Sequence, residues 1–484
     1  MYWLLAILSG LFTGLSFNHP HFSFLIWFSF SPLIYIVYKA RKPQKYFFIA
    51  GLVHYSIVLF WLSHVTRLGL VFLTFYLPLY WFLFGYMAKF LAGRKAAVLT
   101  LPALWVLGEF LRENAFIFSF GWAVFGYSQY TNAAIVQVAD IFGVKFISFI
   151  ILTVNCLWAG CLIKEKRSKD LIYTVLILFL SFSYSVYKLR GQESTRIISL
   201  DVVQPNIPQE IKWDSFAEEF IVESLSRLGG QARDNALVVY PEASWPLIID
   251  FNRENKHNNL AIEAWTKKVN RDVLIGVIIR EKDNFYNTAM RINKSGEIEG
   301  VYRKIKLVPF GEYVPLRKIF GSIEALSVLG DMSAGKSLYS FNCGGKKFGV
   351  IICFEDTFGR FVSDFARDND FLINITNDAW FGGQPQARQH LAVMTLRAVE
   401  NRISIIRSAN TGVSGYVDYL GNIGKLTYKG KDVFIEGIFA CDLPLNSRRS
   451  FYNRWGELFP VLCLFLVIGG CINNSRLQIP NCKL

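Results

Sequence analysis

Seven apolar blocks, at residues 2–17, 22–38, 46–65, 68–91, 96–111, 142–163 and 171–187, fill the first part of this chain, and an eighth covers 458–472. A helix needs about 17–25 apolar residues to cross the hydrocarbon of a bilayer. Lipid also offers no partner to an open backbone group, so runs of this length are expected to fold as spanning helices. The blocks therefore predict a multi-pass α-helical membrane bundle of eight transmembrane helices. Block 96–111 has a plain alternative as a buried, non-spanning helix, because Glu109 and Arg112 lie at its end. No Lys or Arg precedes the first block and no small-residue cleavage site follows it, so it reads as a retained span rather than a signal peptide.

The net charge of +14 raises the question of nucleic acid, and the placement of that charge answers it. Residues 1–190 hold 16 Lys+Arg against 5 Asp+Glu, residues 458–484 hold Arg476 and Lys483 without an acid, and the 267 residues between carry only +1. The excess also alternates. Connections after the second, fourth and sixth blocks are basic (Lys39, Arg41, Lys42 and Lys45; Lys89, Arg94 and Lys95; Lys164, Lys166, Arg167 and Lys169), whereas those after the first, third and fifth hold no basic residue, Arg67 and Arg112 respectively. By the positive-inside rule both termini are cytoplasmic and the long middle region lies across the membrane. Lys188 and Arg190 sit on the opposite side from that bias, which a long translocated domain tolerates. The expected domains are a seven-helix bundle over 1–190, an extramembrane domain over 191–457, and a last span with its tail over 458–484.

The middle region changes character. Runs of strand length rich in β-branched residues recur near Ile197–Val203, Ala236–Tyr240, Val273–Ile279, Asn287–Ile292, Phe348–Ile352, Phe371–Ile375, Ile403–Arg407 and Val413–Asp418. Helical patterns fit Phe216–Leu228, Leu260–Val269 and Gln389–Glu400, which makes an α/β domain with its own core. Only Cys343, Cys353 and Cys441 belong to it; an odd number leaves at least one thiol free unless chains pair, and no CxxC spacing supports metal or redox use.

Within "GVIICFEDTF", residues 349–358, a buried strand delivers Cys353 directly to Glu355 and Asp356, which resemble a first helical turn. A helix start favours thiolate over thiol, so the position makes Cys353 a candidate nucleophile, with simple space-filling as the alternative. Histidine is scarce here, with only His257 and His390, so a carboxylate or lysine is the better-supplied base. "VVYPEASWP" ends a strand with Glu242. "YRKIKLVPFGEYVP" carries Lys304, Lys306 and Glu312 on a segment whose Pro and Gly rule out a regular helix. "GDMSAGKS", residues 330–337, matches the phosphate-loop pattern but precedes what reads as strand, Gly-rich turn and strand, so nucleotide binding lacks its required context.

Taken in order, "YPEAS", "YRKIKLVPFGE", "CFED" and "NITNDAWFG" resemble the nitrilase superfamily, whose members use a Glu, Lys and Cys triad in that chain order. More narrowly, "ALWVLGEFLR" (103–112), "GWAVFGYSQY" (121–130), "VVQPNIPQEIKW" (202–213), "LVPFGEYVP" (307–315), "TNDAWFGGQPQARQH" (376–390) and "RSANTGVSGYVD" (407–418) resemble the membrane-embedded apolipoprotein N-acyltransferase family over nearly the whole length. The resemblance implies a nitrilase-like αββα sandwich between a seventh and an eighth span, in a bacterial inner membrane, with the catalytic domain periplasmic. It implies transfer of an acyl chain from a phospholipid to the α-amino group of an S-diacylglyceryl cysteine at a lipoprotein's N-terminus. No cofactor or nucleic acid is involved, and the chain is expected to act as a monomer. Glu242 matches the general base, Lys304 the oxyanion stabiliser and Cys353 the nucleophile; Glu312 and Glu355 match supporting acids. Trp213 matches a substrate-side tryptophan, and Trp380, in the apolar "WFGG" loop, is a second substrate-side candidate. That loop and "IFGSIEALSVLG" (319–330) are expected to guide acyl chains, with core packing as the alternative. The family commonly has tyrosine after the nucleophile, whereas Phe354 stands here; its backbone N–H still suits an oxyanion.

Two rival readings remain at this level. A membrane-tethered nitrilase- or amidase-type hydrolase of a small soluble substrate uses the same triad but has no need of eight spans. A transporter or sensor with an inactive outer domain is expected to carry functional intramembrane charge, and the blocks contain few ionisable residues.

Overall fold

The computed structural model describes residues 1–94, 96–115, 118–163, 168–190, 196–252, 256–315 and 331–472. The expected acyl-chain loop at 319–330 and the C-terminal tail lie outside them. The chain divides into two compact units: Met1–Ala115, Ser119–Arg190 and the chain from Trp455 form the first, and Gly191–Arg454 with Phe116–Phe118 forms the second.

Each apolar block of the first unit is helical. Tyr2–Asn18, Gln44–Val58, Ala97–Glu113, Val144–Ile163, Ser168–Leu189 and Leu458–Ile472 are single helices. Pro20–Lys39 is assembled from a 3-10 turn and two shorter helices, and Arg67–Leu91 breaks at Leu77, where Pro78 withholds an N–H. Pro20–Lys39, Arg67–Leu91, Val144–Ile163 and Leu171–Leu189 are long and apolar enough to cross a membrane by length and composition; Tyr2–Asn18 and Leu458–Ile472 are shorter apolar helices. Outer faces expose Leu68, Val71, Phe72, Phe75, Leu171, Val175 and Phe179, an arrangement suited to lipid rather than water. Inside, the rings of Phe30, Trp81, Trp105 and Phe125 pack with centroids 4.6–6.1 Å apart. The charges of block 96–111 turn inward onto this core. Glu109 Oε1 accepts from Trp105 Nε1 at 3.1 Å and from the Phe125 amide at 2.9 Å, and Arg112 donates to the Trp122 carbonyl at 2.7 Å and to the Tyr55 hydroxyl.

Among the described residues the second unit has thirteen strands: β1 (Ile197–Gln204), β2 (Leu237–Val239), β3 (Ile249–Asp250), β4 (Val273–Glu281), β5 (Asn284–Ile292), β6 (Ile298–Arg303), β7 (Ser340–Cys343), β8 (Lys346–Ile352), β9 (Phe371–Thr376), β10 (Ser404–Ala409), β11 (Gly415–Val417), β12 (Ile423–Lys425) and β13 (Gly437–Pro444). One sheet runs β13-β1-β2-β4-β5-β6 with β3 beside β4, and the other runs β12-β11-β10-β9-β8-β7. The sheets face each other: the Ser408 hydroxyl on β10 donates to the carbonyls of Val203 and Val239 at 3.0 and 3.1 Å. Helices Glu218–Gly229 and Lys256–Val269 cover the first sheet, where Ile221, Leu225, Ile262 and Trp265 pack on Val203, Val238, Ile275 and Val277. Helices Gly359–Asp368 and Gln384–Asn401 lie on the second sheet, completing four layers, αββα.

Near-continuous apolar runs make the parallel strands, since both of their faces are buried. Parallel pairing of β8, β9 and β10, and of β1, β2 and β4, sends their C-terminal ends to a common edge of each sheet. Residues 331–337 are irregular and lead into β7, the Gly344–Gly345 turn and β8, so among the described residues the phosphate-loop pattern has no helix after it. Cys343, Cys353 and Cys441 are all free.

Candidate active site

The strand ends deliver the acidic and basic residues singled out in the sequence to one place. Glu242 follows β2 in a turn that needs a left-handed residue at Ala243 (φ 46°). That turn lies so close to β4 that a Cβ on Gly276 would stand 2.4 Å from the Pro241 oxygen and the Ala243 nitrogen, which explains glycine there. Lys304 directly follows β6, and its amide donates to the Asn287 carbonyl of β5 at 2.8 Å. The loop after it folds back through Val308, whose amide donates to Glu312 Oε2 at 2.8 Å.

A four-membered arrangement of polar groups results. Lys304 Nζ, itself 1% exposed, lies 3.2 Å from Glu242 Oε1 and 2.9 Å from Glu312 Oε1. Asn287 Nδ2 donates to the same two oxygens at 2.7 and 2.9 Å. The second oxygen of Glu242 accepts from the Asn377 amide, just beyond β9, at 2.9 Å. Burial alone pushes the Glu242 carboxyl up, but the Lys304 ammonium, the Asn287 amide and nearby Lys212 outweigh it and hold the group below its ordinary value. Lys304 is desolvated too, yet Glu242 and Glu312 hold its proton well above the ordinary lysine range. The pair is thus ionised, at a cost in desolvation that the four-way contact offsets.

Cys353 directly follows β8 with left-handed backbone (φ 51°), a strain of about 1–3 kcal/mol that overdetermined surroundings must hold. Asn374 Nδ2, fixed in turn by Arg407 at 2.9 Å, donates to the Cys353 carbonyl at 3.3 Å. The thiol lies in the electrostatic field of both Glu242 and Lys304. Its desolvated surroundings raise its pKa well above the ordinary thiol value, Glu242 and Asp378 adding to this while Lys304 and a hydrogen bond with Thr376 oppose it. The helix start expected to favour thiolate is a single 3-10 turn, Cys353–Thr357, and the α-helix begins only at Gly359. Desolvation therefore favours the neutral thiol, in the field of the Glu242 carboxylate.

Glu355 is fully buried behind the nucleophile turn. It accepts from the amides of Ile305 (2.7 Å), Lys306 (3.0 Å) and Ile352 (2.8 Å) and from the Tyr302 hydroxyl (2.9 Å), tying the Lys304 loop to the Cys353 turn. Burial pushes its carboxyl up to about 7 against those amides. Phe354 is partly exposed and packs edge-on against Phe358 at 5.2 Å. Trp213 and Trp380 are each half-exposed, and among the described residues no hydrogen bond or ring contact joins either to the triad.

Sequence reasoning missed several members. Asn287 gave no signal, being one polar residue in a strand. Lys212 stood in the quoted "NIPQEIKW"; it is buried, donates to the Glu242 carbonyl at 3.2 Å, and is lowered to about 8 by desolvation. His390 is engaged by two carboxylates. Its ring bridges Asp356 (3.0 Å) and Asp378 (3.3 Å) with Arg407 alongside, an ionic layer behind the site. Among the described residues no group of three His, Cys, Asp or Glu side chains is arranged to hold a metal.

Comparison with known proteins agrees with this architecture on both units. The apolipoprotein N-acyltransferase N-terminal domain model matches residues 9–157, and the carbon-nitrogen hydrolase model matches residues 202–426. The apolipoprotein N-acyltransferase of Geobacter metallireducens is 33% identical over 494 residues, which is 96% of this chain and 93% of that protein. Its counterpart from Chlorobaculum tepidum is 29% identical over 512 residues, covering 96% and 94%. Among solved structures, an amidase from Nesterenkonia sp. is similar over 53% of this chain and 93% of its own, with a TM-score of 0.35 and 17% identity.

Proposed function

The chain belongs to the apolipoprotein N-acyltransferase family, and from that premise we propose that it moves an acyl chain from a membrane phospholipid, through a thioester on Cys353, to the α-amino group of a lipoprotein's N-terminal S-diacylglyceryl cysteine. The observation that carries the reading is the buried Lys304–Glu242 contact at 3.2 Å with the Cys353 thiol in the field of both.

In the first half-reaction Glu242 accepts the thiol proton as Sγ attacks the ester carbonyl carbon. Removing the proton at the moment of attack suits a partly buried thiol whose pKa lies above the ordinary value. The tetrahedral oxyanion is held by the Lys304 ammonium, which is buried and fixed by Glu242 and Glu312, together with the backbone N–H of Phe354; preorganised donors of this kind act most strongly out of water. Collapse breaks the ester C–O bond, and the lysophospholipid oxygen leaves with the proton from Glu242. In the second half the lipoprotein amine attacks the thioester carbon, Glu242 takes the amine proton, the C–S bond breaks, and the proton returns to sulfur as the amide forms. Glu312 and Asn287 keep Lys304 and Glu242 in register, and Glu355 holds the Lys304 loop against the nucleophile turn. Trp213 and Trp380 contact the substrates from the exposed rim.

Apolar helices and family membership make this a membrane protein. We assign eight spans, with a bundle over 1–190, a catalytic domain over 191–457 and a last span from 458, as a monomer in the bacterial inner membrane. The charge alternation puts both termini in the cytoplasm and the catalytic domain in the periplasm. Both substrates are lipids, so their chains stay in hydrocarbon while the reacting groups reach the site. Incubating the purified protein with acyl-labelled phospholipid and a diacylglyceryl peptide tests the reading: label should pass to the peptide amine. Label recovered only as free fatty acid would replace transfer with hydrolysis.

A further inference from the structure

Away from the triad, the second unit has an open cavity of about 450 Å3 lined by Arg367, Ser447, Arg448, Arg449, Asn453 and Arg454. Two of its four arginines are built into the fold. Arg367 Nε donates to the Asn453 carbonyl at 3.1 Å and pairs with Asp364 at 3.0 Å; Arg449 donates to the carbonyls of Ala366 at 2.8 Å and Asn446 at 3.1 Å. Asn453 is itself anchored on Ser363 and Asn401, both at 3.0 Å. The other two, Arg448 and Arg454, are exposed, and neither guanidinium has a side-chain or backbone partner among the described residues. A rigid floor thus presents two uncommitted planar forks of N–H donors, a geometry that fits phosphate.

Their place in the chain narrows the ligand. Arg448, Arg449 and Arg454 all precede Leu458, the first residue of the apolar helix Leu458–Ile472, by ten residues or fewer. Four residues reach at most about 14 Å even when extended, so a span starting at Leu458 keeps Arg454 near the headgroup layer. Exposed Phe451 and Trp455 flank it, as aromatics do at membrane interfaces. Under the proposed topology these arginines oppose the positive-inside bias, which counts basic residues within about 15–20 positions of a span. Lys188, also on that side, is neutralised by Asp140 at 3.0 Å. Arg448 and Arg454 have no such acid among the described residues, so their N–H donors are open to an anion from outside.

We propose that this cavity binds the phosphate of an anionic phospholipid headgroup, as an anchoring lipid separate from the acyl donor. The inference rests on the topology proposed above, not on the triad. The cavity adjoins Asn369 and Asp370, where the Asp370 amide meets the Lys347 carbonyl at the start of β8. Cys353 stands at the other end of that strand, about 20 Å away at ~3.3 Å per residue.

Native mass spectrometry of the full-length protein in detergent tests this, with phosphatidylglycerol and phosphatidylcholine titrated against wild type and Arg448→Gln/Arg454→Gln. Wild type should hold one phosphatidylglycerol at a concentration about tenfold lower than the double variant needs, equivalent to about 1.4 kcal/mol. Phosphatidylcholine, whose choline cation offsets its phosphate, should bind wild type more weakly than phosphatidylglycerol and lose less in the Gln pair, and Arg448→Lys/Arg454→Lys should recover part of the difference. Acyl transfer measured on the same preparations should be unchanged, so a failure of the catalytic reading would show separately, as wild type that transfers nothing. Equal phosphatidylglycerol retention by wild type and the Gln pair would overturn the proposal. So would inorganic phosphate binding to the arginines without any preference for the anionic lipid.

Discussion

Asn287→Leu isolates the group that sequence reasoning did not find. Leucine keeps the branched heavy-atom outline, with bulkier methyl groups, but removes the amide that donates to Glu242 Oε1 at 2.7 Å and Glu312 Oε1 at 2.9 Å. Among the influences that hold the Glu242 carboxyl down, the Asn287 hydrogen bond stands second after the charge of the Lys304 ammonium. A hydrogen bond to a charged group is worth about 1.5–3 kcal/mol, and one pKa unit corresponds to about 1.36 kcal/mol. Losing it should therefore raise the Glu242 pKa. A general base works only when deprotonated, so the rate falls as pH drops through its pKa. The acid limb of the acyl-transfer pH–rate profile should move to higher pH, with the plateau reduced less. An acid limb that stays in place while the protein remains folded would refute the idea that this amide sets the protonation of Glu242.

Lys304→Ala should cut kcat by about 10² to 10³, the usual cost of an oxyanion donor, and undiminished acylation by that variant would remove its role. Glu355→Gln must set an NH2 against one of the amides that Glu355 now satisfies. A loss of about 1–3 kcal/mol follows, read as a lower thermal midpoint, and an unchanged midpoint would contradict the bridging account. Lys212 is lowered in the fold from 10.5 to about 8, so the native state binds fewer protons than the unfolded chain between those values. Wild-type stability should therefore rise with pH across that window by ~3 kcal/mol in total, with the full penalty present below pH 8. Lys212→Met should flatten the rise, and an identical pH dependence in the variant would speak against a desolvated ammonium. Trp380→Ala should raise KM for lipid substrates more than it lowers kcat, since the residue sits exposed on the rim; a pure kcat effect would place it elsewhere in the reaction.

Legibility in the sequence followed the range of the interaction. The apolar blocks were readable because run length is a local property, and all eight are helical in the structure. The interrupted stretch Arg67–Leu91 shows what hydropathy smooths over, since Pro78 breaks the helix without lowering apolarity. Strands buried on both faces, such as β4 and β9, announced themselves through β-branched runs. β13 did not: its partner β1 lies some 240 residues away and its own sequence alternates buried with exposed positions. Helix Gly359–Asp368 was missed because the acidic turn before it reads as a helix start, whereas the chain spends those residues on the 3-10 turn that sets Cys353 in its left-handed conformation.

At the candidate site, Glu242, Lys304, Glu312, Cys353 and Glu355 stood in motifs whose spacing carries meaning. Asn287 did not, and Tyr302, though it opens the quoted "YRKIKLVPFGE", gave no sign of its bond to Glu355, because both contributions exist only after β5 pairs with β6 and the two sheets close. The protonation state of Cys353 was likewise beyond a local argument. The dipole of a helix start is readable from residue order, but desolvation by two packed sheets is not, and it is desolvation that prevails.

Mass spectrometry of the intact protein taken from membranes tests the central claim most directly. The account predicts a fatty-acyl adduct on Cys353 that neutral hydroxylamine removes and that a diacylglyceryl peptide discharges into its own amide. An adduct mapped to another residue, or transfer that persists in full after Cys353→Ala, would contradict it.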